Sequence, residues 1–128
     1  MFAWINRHAL LLLHGESLVL HGGAPGIRDE GLLESALMRP ENLVAYGKPD
    51  VFDCAAAYAF GLAKNHPFID GNKRAAFLAC GLFLLLNGVR LTATQPDATL
   101  TMLALAAGDL TEETFAAWLR AHTARLAP

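Results

Sequence analysis

The chain has 128 residues, 54% hydrophobic and only 17% charged, with a formal net charge of −2 and a pI near 6.2. That length fits one domain, residues 1–128, with one sizeable core, and the apolar bias excludes a disordered chain. The mild negative charge excludes a broad cationic surface, so no direct DNA binding is expected, although a small basic pocket remains open.

The longest apolar run, Ala75 to Leu86, falls well short of the ~20 residues that span a bilayer. The "ALLLL" that begins two residues after Arg7 is too brief for a signal peptide and no small-residue cleavage site follows it. A soluble, cytoplasmic protein with no membrane contact is expected. Cys54 and Cys80 both lie in apolar runs without zinc spacing, so they read as buried free thiols.

In chain order, Trp4, Ile5, Leu11, Leu12, Leu18 and Val19 recur at helical spacing and predict a first helix over residues 3–20. "HGGAPGI" breaks it. Asp29 is an N-cap for a second helix, "EGLLESALMR", which Pro40 should stop. Residues 40–50, with two prolines and a glycine, read as a loop or short hairpin. A third helix over about 51–64 holds "CAAAYAFGLA", whose small side chains permit close packing and suit a central position. Pro67 disfavours the right-handed α region at His66, so this helix should end just before residue 65. Asp70-Gly71 supplies a turn, and Asn72 is the expected N-cap of a fourth helix that runs to Asn87-Gly88. A fifth helix is expected over about 97–107, ending at Gly108, and a sixth from Thr111 through Trp118. No segment alternates as a strand, so the expected fold class is all-α: a compact single-domain bundle of about six helices.

The polar residues concentrate in "NHPFIDGNKR", residues 65–74. Turn and cap chemistry explains Asp70, Gly71 and Asn72, but it does not explain Lys73 and Arg74. These cations sit in the first turn of a helix, where the macrodipole is positive and each is disfavoured by about 0.3–1 kcal/mol. Elsewhere the first turns carry acids: Glu30 follows Asp29, and Glu112 and Glu113 follow Thr111. Two cations at that end make physical sense if an anion sits on the free backbone N–H groups between them. Gly71 lets the backbone approach such an anion, and Asp70 beside a polyphosphate could hold Mg²⁺, which takes carboxylate and phosphate oxygens. His66 is the neighbouring group able to accept a proton near neutral pH; a lone histidine would more simply close the loop by hydrogen bonding. Phe68 reads as a core anchor for the loop, and Lys64 and Asn65 as residues near the cleft. His8, His14, His21 and His122 share no metal spacing and read as surface or core-edge residues, while Arg28 and Asp29 read as a pair or a helix cap.

"HPFIDGNKR" resembles the Fic/Doc family motif, H-x-F-x-D/E-G/A-N-x-R, and the lysine before the arginine is similar to the Doc, or "death on curing", branch. "GGAPGIRDEGLLESAL", "AAAYAFGLAKN", "LLLNG" and "LAAGDLTEETFAAWL" extend that resemblance over most of the chain. It implies a Fic/Doc-like helical fold with a loop–helix anion site binding ATP and Mg²⁺. His66 would be the base that deprotonates a target hydroxyl, Asp70 the Mg²⁺ ligand and Asn72 a phosphate contact, with Gly71, Lys73 and Arg74 forming the anion cradle. In the AMP-transferring branch the position of Lys73 is usually glycine, and a second arginine stands three residues after the first, where this chain has Phe77. Doc-like proteins instead transfer the γ-phosphate to a threonine of elongation factor Tu and halt translation. The resemblance therefore implies a phosphate-transferring toxin; transfer of AMP on the same fold and a non-enzymatic helical binding module are the alternatives. The inhibitory S/T-x-x-x-E-G/N segment of some Fic proteins is absent, so restraint by a separate Phd-like antitoxin is implied.

Overall fold

A computed structural model describes residues 1–127 of the chain. Six helices account for most of them: α1 (Arg7–His21), α2 (Glu30–Tyr46), α3 (Val51–Asn65), α4 (Asn72–Leu86), α5 (Gln95–Ala107) and α6 (Glu112–Ala121). The molecule is mostly helical, as the absence of alternating patterns predicts. α3 is central because it is small-faced: Ala55, Ala56, Ala57, Ala59 and Ala63 are all fully buried. α2, α4, α5 and α6 pack around it, and α1 lies against α4. Tyr58, Phe68, Phe83 and Phe115 fill the core, each at 1% exposure or less. Burying a side chain such as Phe contributes about 1.5–3 kcal/mol.

Three boundaries differ from the sequence expectation, each for a physical reason. α1 starts at Arg7 rather than residue 3, because the Asn6 side chain caps it by accepting from His8 N and Ala9 N. Phe2 and Trp4 lie in an extended lead-in, where both pack on Phe83.

α2 does not stop at Pro40 but continues through it to Tyr46. An interior proline removes one helical hydrogen bond and costs about 3 kcal/mol. The opposing contribution is burial of Leu33, Ala36, Leu37 and Pro40 itself. α2 also approaches α3 very closely, for a Cβ on Gly61 would lie 3.2 Å from Ala36 Cα. Tertiary packing thus overrides the local signal, and the loop shrinks to residues 47–50.

Gly71, not Asn72, is the N-cap of α4. The chain also contains two short strands that the sequence does not announce: β1 (Val89–Leu91) pairs antiparallel with β2 (Thr123–Arg125). At three residues each, they are too short to display an alternation.

Both thiols are buried and free. Burial pushes the Cys80 thiol up to about 12. Burial, reinforced by the charges of Asp53 and Asp50, does the same to Cys54. Among the described residues no helix is long and apolar enough to cross a membrane.

Candidate active site

The 65–74 segment joins the two helices at the heart of the fold. α3 ends at Asn65, and His66 caps it in the left-handed region, with φ of 47° and ψ of 56°. It is the non-glycine residue with positive φ among those described. For a residue with a Cβ that conformation costs about 1–2 kcal/mol, so the surroundings must enforce it. Pro67 helps by closing the right-handed region to His66. The turn throws the imidazole outward, and His66 is exposed while Pro67 and Phe68 on either side of the next bond are buried.

The loop is held from three directions. Asn72 is a strut: its Nδ2 donates to Phe68 O at 3.0 Å and its Oδ1 accepts from Phe68 N at 2.9 Å. Its side chain is engaged by the loop, and at the helix end it offers its backbone N–H. From below comes His14, buried at 5% exposure, stacked on the Phe68 ring at 3.8 Å between centroids. Its Nε2 lies 2.8 Å from Asp70 O, and a proton on that nitrogen makes it the donor. From the side comes the glycine-rich segment between α1 and α2. Arg28 N and Asp29 N both donate to Pro67 O, and Ile69 N donates to Gly26 O, so Ile27 and Phe68 form an antiparallel bridge.

The Asp70 carboxylate turns toward this segment. Oδ1 accepts from Gly71 N at 3.1 Å and Oδ2 from Ala24 N at 3.3 Å. Gly23 permits the approach, because a Cβ there would stand 3.1 Å from Asp70 Oδ2. The side chain stays exposed. No group of three or more His, Cys, Asp or Glu residues that could hold a metal exists among the described residues. One accessible carboxylate is a poor site for a free divalent ion. It does fit Mg²⁺ that arrives on a polyphosphate, since Mg²⁺ is held by one or two carboxylates together with phosphate oxygens.

Lys73 and Arg74 occupy the second and third positions of α4, one place further in than expected, and both are exposed. The other five helices are capped by the side chains of Asn6, Asp29, Asp50, Thr94 and Thr111; α4 has no side-chain cap. The ion pairs among the described residues engage Arg7, Arg39 and Arg120, and neither Lys73 nor Arg74 has a carboxylate partner. Lys73 stands between two openings. On one side His66, Lys73, Leu103 and Asp109 line a cleft of about 550 Å³. On the other Lys73, Arg74 and Phe77 line one of about 630 Å³ between α1, α4 and α5.

The fold therefore brings His66 and Lys73 onto one cleft and Lys73 and Arg74 onto the next, with Asp70 and Gly71 on the loop leading into α4. Sequence reasoning misplaced His14, which is a buried support of the loop. Of the two readings for Arg28 and Asp29, capping is the one observed: Asp29 opens α2, and Arg28 grips the last carbonyls of α3. Lys64 reaches past the cleft to donate to Ala106 O, and Asn65 Nδ2 donates to Leu32 O.

The Fic/DOC family model matches residues 4–84, a span that runs from the lead-in of α1 into α4 and includes this loop; the chain belongs to the Fic/DOC family. Within it the similarity is to the Doc branch. A protein named "protein kinase doc" from Escherichia phage P1 is 36% identical over 117 residues, covering 91% of this chain and 92% of that one. "Toxin Doc" from Mycolicibacterium smegmatis is 46% identical over 78 residues, 59% of each chain.

Proposed function

We propose that this protein is a Doc-like toxin that transfers the γ-phosphate of ATP to a hydroxyl of a protein target, a threonine of elongation factor Tu, and so halts translation. The observation that carries this reading is the end of α4. An N-terminus without a side-chain cap, carrying two cations that have no carboxylate partner among the described residues, adjoins an exposed histidine on an open cleft. Free N–H groups, a positive dipole end and two cationic side chains together make an anion site. The names of the two relatives support a toxin and a kinase activity.

Lys73 and Arg74 would bind and orient phosphate oxygens, Arg74 through its planar fork and Lys73 as a point charge. Asp70 would hold Mg²⁺ carried by the nucleotide, and bound Mg²⁺ supplies neutralisation of the charge on the transferred group. His66 would take the proton of the target hydroxyl as its oxygen bonds to phosphorus and the bond to ADP breaks. The protein's part is positioning and charge stabilisation, as in other phosphoryl transfers. Lys73 and Phe77 favour phosphate over AMP transfer: a lysine narrows the cradle and the second arginine is replaced by an apolar ring.

A cytoplasmic setting suits free thiols and such a target. A Phd-like antitoxin is the proposed partner, supported by the apolar side chains that stand exposed on α1 and α5, among them Val19, Leu20 and Leu100. The test is translation in cells expressing the wild type and variants. Removing a general base costs typically 10²–10⁴-fold, so His66→Ala should arrest translation only in trace. Undiminished arrest by a protein lacking His66, Asp70 and Arg74 together would leave only the reading as a binding module.

A further inference from the structure

The exposed imidazole of His66 makes no side-chain hydrogen bond among the described residues, so nothing holds the ring itself. Its direction is set by its backbone, and that backbone is in the left-handed region. One side chain grips it. Arg28 Nε donates to His66 O at 2.7 Å and Nη2 donates to Asn65 O at 2.9 Å. The same residue's backbone N–H donates to Pro67 O at 2.7 Å. Three consecutive carbonyls across the end of α3 are thus held by one arginine, whose charge also complements the negative end of that helix.

We infer that Arg28 is a positioning residue for His66: its guanidinium fork locks the αL turn that aims the imidazole into the cleft beside Lys73. The inference rests on the proposed role of His66 as base. A single amine cannot reproduce two parallel N–H bonds to adjacent carbonyls, so lysine is not equivalent to arginine here. A misplacement of about 1 Å of a reacting group can lower a rate by roughly 100-fold. Arg28 lines neither of the two clefts at the end of α4, so it should act on turnover and not on nucleotide affinity.

The experiment compares the full-length wild type with Arg28→Lys and Arg28→Met. Rates of transfer from ATP are measured at saturating nucleotide, ATP affinity by calorimetry, and the ring C–H resonances of the five histidines by NMR. The expected result is a fall in kcat of roughly 10–100-fold in Arg28→Met and a smaller fall in Arg28→Lys, with ATP affinity unchanged within about 2-fold. The His66 resonance should shift or broaden in both variants while His8, His21 and His122 stay in place. Since lysine keeps the charge, a change in Arg28→Lys reports the lost fork. A His66 resonance unmoved in Arg28→Lys overturns the inference even if the wild type transfers nothing. Loss of ATP affinity in step with rate would overturn it too, by making Arg28 a nucleotide ligand. A wild type that labels its target with nucleotide would refute the proposed phosphate transfer, and the same comparison of rates would still test Arg28.

Discussion

Gly71 and Gly81 lie ten residues apart on α4 and its cap, and the same substitution should have opposite effects at the two positions. Gly71 has φ of +75°, and an added Cβ would meet Leu18 Cδ2 at 3.3 Å and His14 Nε2 at 3.4 Å. The neighbours are side-chain atoms, and Leu18 can give way slightly, so the backbone conformation dominates the cost. Placing alanine in the left-handed region costs about 1–2 kcal/mol. For a domain of this size that lowers Tm by roughly 3–10 °C. Gly81 lies inside α4 and an added Cβ there meets nothing within 4 Å. Alanine at such a position is better than glycine by about 0.5–1 kcal/mol, so Tm should rise by roughly 2–5 °C. Thermal and urea denaturation of the two variants, with the urea slope unchanged, would report both signs. A Gly71→Ala protein as stable as the wild type would refute the account of the turn beneath Asp70. A Gly81→Ala protein that falls in parallel would show that α4 tolerates no added methyl, so the loss at Gly71 would say nothing of its φ.

Arg74→Ala should weaken ATP binding more than His66→Ala does, since one removes an anion ligand and the other a proton acceptor; calorimetry returning the reverse order would contradict those roles. Burial alone would raise the Asp50 carboxyl, but the Asp53 N–H and the Arg120 guanidinium outweigh it and hold it below its ordinary 3.8. A depressed folded pKa contributes stability that is present above the unfolded value and lost as pH falls through the folded one. The Tm gap between wild type and Arg120→Met should therefore be constant near neutrality and shrink below pH 4, and a gap that grows on acidification would refute the pairing. The side chains of Arg120, Asp50 and Asp53 are 40%, 47% and 38% exposed, so the gap should correspond to no more than about 1 kcal/mol. With both thiols pushed up to about 12, the native protein at pH 8 should react with iodoacetamide only after denaturant is added; prompt alkylation of either cysteine would show that the core around α3 and α4 opens.

The helices were legible where apolar periodicity and polar caps agree, as at α3, α6 and the Asp29 start of α2. The expectation failed where tertiary contacts outweigh local ones. Pro40 is a strong stop signal in isolation, and only the close approach of Ala36 to Gly61 reveals why the helix passes through it. Asn72 has the chemistry of an N-cap, but its side chain bridges Phe68 instead, leaving Gly71 as the N-cap of α4. The misplaced cations were readable because acids stand in the first turns of α2, α3, α5 and α6 while α4 opens on cations; α1 opens on Arg7 without an acid of its own, but there Glu30 and Glu34 of α2 pair the cation. His14 was not readable, since its bond to Asp70 O joins residues 56 positions apart and its ring stacks on the nearly as distant Phe68. Which helix end Arg28 holds was likewise hidden, for its partners are main-chain carbonyls that carry no side-chain signature.

The central claim is that α4's N-terminus presents ATP to a hydroxyl whose proton His66 accepts. It is tested most directly by incubating the protein with elongation factor Tu and ATP labelled at either the α- or the γ-phosphate. Label from the γ position alone should reach the target, and the rate should fall 10²–10⁴-fold in His66→Ala. Label arriving from the α position, or transfer at full rate without His66, would contradict the account.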